Sequence, residues 1–142
     1  MKTSLVAILV LAVFQTALSA RETDDLKAVA TGNVKFALKL YDQLNNQKGN
    51  LFLSPYSIST ALAMTHAGAR GETETEMTKA LQFPTFPDKE GGPLGRERLH
   101  AAFSELKLGL REAQKQGNVE LSIANALWPQ KNYAFRPEYL NL

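Results

Sequence analysis

The side chains best suited to act as a general base near neutral pH are His66 and His100, the only two histidines in the 142 residues. A hydrolytic enzyme would need a nucleophilic side chain or a metal-bound water next to such a base. Neither histidine stands in a G-x-S-x-G or an H-E-x-x-H motif, two local patterns that supply that arrangement. We therefore interpret both as core or surface residues, and the sequence predicts no enzyme and no catalytic residue.

Cysteine is absent from the whole sequence. The chain therefore has no disulfide and no thiolate ligand, and its histidines and carboxylates are not clustered with the spacing of a metal site. The formal net charge is +2, from 16 basic and 14 acidic residues. This near balance gives no general attraction to nucleic acid or to a membrane surface. We predict no metal ion, no cofactor and no nucleic-acid partner.

Residues 1–20 have the pattern of a secretory signal peptide. Lys2 supplies the early positive charge, residues 5–14 form an apolar core, and residues 17–20 include the small side chains of a cleavage site. The apolar core is too short to span a bilayer permanently. We expect its removal to leave residues 21–142 in an extracellular protein, or in a periplasmic one if the source is bacterial. The alternative is a buried N-terminal helix.

Apolar periodicity and turn residues divide the rest of the chain into helices and strands. The predicted helices cover residues 24–44, 54–67, 73–83 and 96–113, with a further start at Arg136–Pro137. The predicted strands cover residues 50–53 and 119–128, and residues 84–95 form a loop rich in proline and glycine. Thr73 and Glu76 have the spacing of a capping box. This mixture predicts an α/β (α+β) fold.

Segment 119–128 is predicted to be the only long strand, because its apolar residues alternate along the sequence. A sheet normally needs three or more strands or a covering helix, and a lone strand leaves both of its edges unpaired. The last predicted helix has only just begun when the sequence reaches Leu142. We therefore expect this sequence to be the front part of a larger domain.

The predicted helix 54–67 opens with Ser54 as its cap and Pro55 in its first turn, and it has no charged side. A helix that is apolar all round is expected to be buried. Its hydroxyl groups would then need partners, because an unpaired buried hydroxyl costs about 1–3 kcal/mol. They could bond to their own helix or to a segment that crosses it. These hydroxyls belong to Ser57, Ser59, Thr60 and Thr65.

Around this helix, residues 50–83 read NLFLSPYSISTALAMTHAGARGETETEMTKALQF. This stretch resembles the N-terminal signature of the serpins, the serine protease inhibitor family. The residues that carry the resemblance in one register are Asn50, Ser54, Pro55, Ser57, Leu62, Gly68, Thr73, Leu81 and Phe83. FALKLY upstream resembles the first helix of the family, and LSIANALW and FRPEYLNL downstream resemble a strand of its central sheet and the helix that follows. The resemblance covers essentially all of residues 21–142, but only the N-terminal portion of a family domain.

The resemblance implies a serpin fold in which the helix begun by Ser54 lies beneath a central sheet, at a place called the shutter. The residues implied for the shutter are Asn50, Ser54, Pro55 and Ser57. It also implies inhibition of an extracellular serine or cysteine protease by insertion of a cleaved reactive loop. That loop would lie beyond Leu142, so we expect that these residues do not inhibit alone, and we assign no reactive bond. A non-inhibitory binding protein and a fragment without function are the alternatives.

Basic residues form one arc along the predicted helix 96–113 and just past its end, at about 100° per residue. They are Arg96, His100, Lys107, Arg111 and Lys115. In some serpins the corresponding helix binds heparin-like glycosaminoglycans, so the resemblance suggests a polyanion site here. The alternative is an ordinary solvated face, because Glu97 lies close to the arc and the helix carries only a small net charge.

Overall fold

The computed structural model describes residues 2–46, 48–86, 94–117, 120 and 122–140. The helices in these ranges are α1 Lys2–Leu44, α2 Pro55–His66, α3 Gly71–Leu81, α4 Leu94–Gln116 and α5 Pro137–Leu140. Helix α1 packs against α2, α3 and α4, and α2 also packs against α3. The buried apolar cluster draws on all four of these helices and on the residues just after α3. It consists of Val29, Phe36, Ala63, Leu81, Phe83, Leu99, Ala102 and Phe103.

Helix α1 is longer than the sequence predicted. The prediction began at residue 24, whereas the helix runs without interruption over Lys2–Leu44. Residues 2–31 contain no proline or glycine, so none of the strong helix breakers opposes its continuation. Over the predicted stretch the amphipathic pattern is confirmed, because Val29 is buried and Lys35 is exposed. Within the described ranges, no helix combines the length and the apolar character needed to cross a membrane.

The predicted opening of α2 is confirmed. Ser54 occupies the N-cap in an extended conformation, and its side chain accepts a hydrogen bond from the backbone N–H of Ser57. Pro55 is the first helical residue, where its missing N–H and fixed φ suit the first turn. The helix ends at His66, one residue before the predicted end.

Helix α2 is buried along one face only. That face carries Ser59, Ala63 and His66. On its other sides, Ile58 and Leu62 remain 37% and 38% exposed. The prediction that the whole helix is buried is therefore wrong, because the helices that pack against it, α1 and α3, cover only part of its circumference.

Helix α3 begins earlier than the sequence predicted. Its first residue is Gly71, preceded by an extended Arg70 that makes no side-chain capping hydrogen bond. The hydroxyl of Thr75 donates to the carbonyl oxygen of Gly71 at 3.0 Å, so that carbonyl is already inside the helical turn. Thr73 is consequently an interior residue, and the predicted capping box between Thr73 and Glu76 is not the start of the helix.

Gly32 allows α1 and the end of α3 to approach closely. Gln82 closes α3 in the left-handed conformation, with a φ of 57°. A Cβ atom at Gly32 would lie 2.3 Å from the backbone oxygen of Gln82 and 3.7 Å from Cδ of Pro84. The first distance is shorter than any normal contact, so a larger residue would push the two helices apart.

Helix α4 extends beyond the predicted 96–113 at both ends, to Leu94–Gln116. Its predicted apolar face is confirmed at Leu99 and Phe103, which are both buried. The ring of Phe103 meets the ring of Phe83 edge to face, with 5.6 Å between the centroids. This contact joins α4 to the residue that follows the C-cap of α3.

The prediction of an α/β (α+β) fold is wrong for this structure. No strand occurs in the described residues, which include the predicted strand 50–53 and residues 122–128 of the second one. Residues 119 and 121 of that predicted strand lie outside the described residues. A strand exists through hydrogen bonds to a neighbouring strand, and an alternating sequence supplies no such neighbour by itself. Trp128, near the end of this segment, is 92% exposed.

The predicted helix start at Arg136–Pro137 is confirmed by the short helix Pro137–Leu140. This helix, α5, returns the chain to α2. The hydroxyl of Tyr139 donates to the carbonyl oxygen of Met64 at 3.3 Å. The ring of Tyr139 lies close to Gly68, because a Cβ atom added at Gly68 would be 3.0 Å from the ring.

Candidate functional site

The residues implied for a shutter come together in part at the start of α2. The hydroxyl of Ser54 donates to Oγ of Ser57 at 2.9 Å, and Ser54 Oγ accepts the Ser57 backbone N–H at 3.4 Å. Pro55 lies between them as the first residue of the helix. Asn50 lies upstream in exposed, irregular backbone, outside this hydrogen-bonded group. The structure thus brings three of the four residues together, and their role as a shutter stays a prediction.

A cavity of about 510 Å³ opens beside this pair of hydroxyls. Its walls come from α1, α2, α4 and the irregular segment 122–130, and they include Asn33, Tyr56 and Ile123. Asn33 Nδ2 donates to the carbonyl oxygen of Val29 at 3.1 Å. Its Oδ1 is buried and has no hydrogen-bond partner among the described residues. The cavity therefore adjoins a buried amide oxygen, Oδ1 of Asn33, that accepts no hydrogen bond from the described residues.

Asn33 was not among the candidate site residues predicted from the sequence. The sequence did contain a signal for this residue. Asn33 follows the core residue Val29 by one helical turn, so it lies on the inward side of α1. A polar residue at an inward position of an amphipathic helix normally needs a specific partner. Only the packed structure shows that one of its two amide atoms lacks a partner in the described part of the chain.

The hydroxyls of α2 have different environments. Thr60 Oγ1 donates to the carbonyl oxygen of Tyr56 at 2.8 Å, which is the bond within its own helix that the sequence left open as one alternative. Thr65 is exposed to solvent. Ser59 is 0% exposed, and its Oγ has no hydrogen-bond partner in the ranges that the structure describes. In the described residues, the hydroxyl of Ser59 is therefore buried without a hydrogen bond to offset the loss of its contact with water.

His66 connects the end of α2 to α3. Its Nε2 lies 2.9 Å from Oγ1 of Thr78, and its ring meets Phe83 edge on at 5.3 Å between centroids. The side chain belongs to the core, with 3% of its surface exposed. Burial is the main cause that lowers the pKa of His66 below its ordinary value of 6.5, and the nearby carboxylate of Glu74 acts in the opposite direction. The contact between His66 and Thr78 was not predicted from the sequence, because it joins two different helices.

His100 directs Nε2 into the protein rather than into the predicted basic arc. This nitrogen is buried without a hydrogen-bond partner among the residues described. Burial lowers the pKa of His100, and the charges of His66 and Arg96 lower it further. Arg96 is itself bound to the carboxylate of Glu74 across α3 and α4, at 3.0 Å. The first two members of the arc therefore belong to the contact between helices.

The other three members of the arc lie further along α4, where Lys107, Arg111 and Lys115 are all exposed. Lys115 Nζ donates to the carboxylate of Glu112 at 3.0 Å, so its charge is partly balanced. Lys107 and Arg111 border a cavity of about 290 Å³ that also contacts Ser122. The structure thus divides the predicted arc into an inward end and an exposed end.

The described residues contain no group of three or more histidine, cysteine or acidic side chains placed to hold a metal ion. The hydroxyl beside His66 belongs to Thr78, and it donates its proton to the carbonyl oxygen of Glu74 at 2.7 Å. It is therefore engaged in the backbone of α3, although Thr78 also lines an open cavity of about 850 Å³ between α1 and α3. The polar contacts of the described residues include hydrogen bonds at the start of α2 and hydrogen bonds and ion pairs between helices.

Comparison with known proteins gives this arrangement a family. A family model described as serpin, a serine protease inhibitor, matches residues 31–142. The chain therefore belongs to the serpin family, which confirms the resemblance found around residues 50–83. No solved structure was found that matches this chain.

Similar curated proteins include the leukocyte elastase inhibitor of Sus scrofa, which is 38% identical over 117 residues and is covered over 28% of its length. An uncharacterized serpin-like protein of Thermococcus kodakarensis is 36% identical over 116 residues, with 25% of its length covered. Plasminogen activator inhibitor 2 of Homo sapiens is 30% identical over 146 aligned positions, with 35% of its length covered. The alignments include 81%, 82% and 82% of this chain, respectively, so the chain spans well under half of each relative.

Proposed function

We propose that the protein to which these residues belong is a secreted inhibitor of serine proteases. The proposal is supported by membership of the serpin family and by two relatives whose names describe inhibitors, one of leukocyte elastase and one of plasminogen activator. Its partner would be an extracellular serine protease, or a cysteine protease as the second choice. It would need no cofactor, because inhibition would use a conformational change rather than catalysis.

Inhibition would proceed by insertion of a reactive loop. The protease would cleave an exposed loop of the inhibitor, and the loop would insert into the body of the inhibitor while still attached to the protease as an acyl-enzyme. The reactive bond is not assigned to any of the 142 residues. In this proposal residues 21–142 form part of the body that must accept the loop, and their side chains exchange hydrogen-bond partners during that change.

The observation that carries this role is the set of polar atoms around the start of α2. Ser54 and Ser57 satisfy each other, whereas Asn33 Oδ1 and Ser59 Oγ are buried without a partner in the described residues. Buried polar atoms nearly always have a partner in native proteins. We expect both atoms to bond to another part of the complete polypeptide. Hydroxyl groups suit a change of partner, because each can donate or accept.

Secretion is proposed from residues 1–20, whose charge, apolar core and small-residue end fit a signal peptide. Expression of the gene with its own N-terminus in a secreting host should give an exported protein. Sequencing of its first residues should place the new N-terminus after Ser19 or Ala20. An exported or retained protein that still begins at Met1 would contradict this part of the proposal.

The inhibitory function can be tested with the complete polypeptide and with the 142 residues alone. Each would be incubated with trypsin-like, chymotrypsin-like and elastase-like proteases and examined by denaturing electrophoresis. We expect a detergent-stable adduct from the complete polypeptide and none from the 142 residues. Cleavage of the complete polypeptide by all of these proteases without any adduct would favour the non-inhibitory binding protein. An adduct from the 142 residues would overturn the expectation that these residues do not inhibit alone.

Polyanion binding is a second proposal, and it rests on the exposed end of the basic arc. Lys107 and Arg111 are both exposed and border the same cavity. A sulfated chain such as heparin would contact these two side chains through its anionic groups. The double variant Lys107→Gln, Arg111→Gln should then elute from heparin at lower salt than the unmodified chain. The control Lys115→Gln should change elution less, because Lys115 is paired with Glu112. Equal elution of all three proteins would rule this site out.

A further inference from the structure

The two histidines of the chain lie at one contact between α2, α3 and α4. His66 ends α2, and His100 precedes the buried Phe103 by about one turn of α4. Phe83 bridges the two sides, with its ring 5.3 Å from that of His66 and 5.6 Å from that of Phe103. A positive charge on His66 would act on His100, so the two imidazoles are within electrostatic reach of each other.

The hydrogen bonds define which nitrogen of His66 carries the proton. The hydroxyl of Thr78 has a single proton, and it donates this proton to the carbonyl oxygen of Glu74 at 2.7 Å. Thr78 Oγ1 must therefore accept its second bond, and the donor is Nε2–H of His66 at 2.9 Å. In this neutral tautomer the other ring nitrogen, Nδ1, carries a lone pair and no proton. The observed contact needs only an uncharged His66.

Protonation would give this contact two buried N–H groups for which the described residues supply no hydrogen-bond acceptor. Nδ1 of His66 and Nε2 of His100 are both buried, and neither has a hydrogen-bond partner in the part of the chain that the structure describes. Each would become a donor in the charged imidazolium form. A charged group buried without a partner is costly, so the packed arrangement favours the neutral form of both residues.

The charged groups around the pair do not offset such a charge. Glu74 of α3 is the acidic group that attracts a proton to His66, but its carboxylate is bound to Arg96 of α4 at 3.0 Å. Arg96 repels a charge on either histidine, and Arg70, in the connection from α2 to α3, repels a charge on His66. From α1, the buried carboxylate of Asp25 is paired with Arg98.

We propose that His66 and His100 form an acid-sensitive clasp, which holds α2, α3 and α4 together while both imidazoles are neutral and releases them when they become protonated. The clasp is independent of the inhibitory function proposed above. It would loosen the contact between these helices in a mildly acidic compartment, at a pH where ordinary carboxyl groups, which titrate near pH 4, remain charged.

The direction of the pH effect follows from proton binding. Both histidines have a folded-state pKa below the ordinary value of 6.5, so the unfolded chain binds more protons than the folded chain in mild acid. The stabilisation is fully present above pH 6.5, and it is lost progressively as the pH falls below that value. For each histidine that is charged only in the unfolded chain, the unfolding equilibrium constant rises about tenfold between pH 7.5 and pH 5.5.

The first test compares urea unfolding of the 142-residue chain at pH 7.5 and at pH 5.5. Circular dichroism monitors the unfolding. The unmodified chain should show an increase in the unfolding constant of up to about 100-fold from the two histidines together. His66→Gln retains a side-chain donor for Thr78 but cannot titrate, and it is combined with His100→Gln. This double variant should lose most of the increase. Ser104→Ala, an exposed and uncharged change on α4, should retain it. Equal increases in the unmodified chain and the double variant would overturn the proposal.

A second test measures the pKa of each histidine directly in the unmodified chain. The imidazole proton signals of the unmodified chain can be followed by NMR as a function of pH, and they are simple to assign because only two histidines exist. Both signals should titrate with midpoints below 6.5. A midpoint at or above 6.5 for either histidine would overturn the clasp, whatever the stability of the variants.

Discussion

Arg98 of α4 binds Asp25 of α1 through two hydrogen bonds that join residues 73 positions apart in the sequence. Its Nε donates to Oδ2 of Asp25 at 2.7 Å, and a terminal guanidinium nitrogen donates to Oδ1. The two side chains are only 20% and 11% exposed. The guanidinium also lies 4.4 Å from the centre of the Phe86 ring. This geometry matches the planar fork of arginine, so the pair orients α4 against α1 more firmly than a surface ion pair would.

We predict that Asp25→Asn destabilises the chain by about 2 kcal/mol, because it removes the negative charge that a largely buried guanidinium binds through two hydrogen bonds. Asp24→Asn is the matched control, since Asp24 is the adjacent residue of the same type and is exposed. The control should change the free energy of unfolding by no more than about 0.5 kcal/mol. Urea unfolding at neutral pH measures both values. Similar effects of the two substitutions would show that the ion pair does not stabilise the α1–α4 contact.

Substitution by alanine at two helical glycines, Gly32 and Gly109, should change the stability of the chain in opposite directions. Gly32→Ala would place a methyl group 2.3 Å from the backbone oxygen of Gln82, and we expect it to destabilise the chain by about 1–3 kcal/mol. Gly109 lies in α4 with no atom within 4 Å of an added Cβ. Gly109→Ala should therefore stabilise the chain by about 0.5–1 kcal/mol, because alanine has the better helix propensity. Thermal unfolding of both variants tests the pair, and stabilisation by Gly32→Ala would contradict the close approach of α1 to α3.

The cap of α2 can be tested by removal and by replacement. Ser54→Ala removes the acceptor for the backbone N–H of Ser57 and should cost about 1 kcal/mol of stability. Ser54→Asp supplies another capping acceptor, and it should recover most of this loss. The free energy of unfolding of the three proteins gives the comparison. If the alanine and aspartate variants were equally unstable, the hydroxyl of Ser54 would matter through a contact other than the cap.

Removal of the buried hydroxyl of Ser59 should increase stability, whereas most substitutions decrease it. Ser59→Ala removes an oxygen that is buried without a partner in the described residues, so we expect the 142-residue chain to become more stable by about 1 kcal/mol. Thr60→Ala is the control on the next residue. Its hydroxyl already donates to the carbonyl oxygen of Tyr56 at 2.8 Å, so its removal should bring no such gain. A clear loss of stability in Ser59→Ala would show that its hydroxyl has a partner in solution.

Local features of the sequence predicted the starts of α2 and α5 and the buried faces of α1 and α4. The opening at Ser54–Pro55 is decided by side chains within one turn, and so is the start of α5 at Pro137. The apolar spacing of α1 and α4 likewise predicted their buried faces, with Val29 and Leu99 as examples. These predictions succeed because their causes lie close together in the sequence.

The predictions that failed depend on contacts between distant parts of a chain. Alternation in segment 119–128 predicted a strand, but a strand needs a neighbour, and the described residues provide none. The contact of His66 with Thr78 and the pairing of Arg98 with Asp25 each join different helices, so spacing along one helix could not identify them. The same limit explains why Asn33 was not identified as a candidate, since its unused oxygen is visible only after packing.

The exposed indole of Trp128 serves as an intrinsic fluorescence probe. Trp128 is the only tryptophan in the sequence, and 92% of its surface is open to water. Its fluorescence should resemble that of a free, solvated indole, with long-wavelength emission that small quenchers reach easily. Anything that covers the segment after α4 would shift this emission to shorter wavelength and slow the quenching. Association at that face can therefore be followed without a dye or a label.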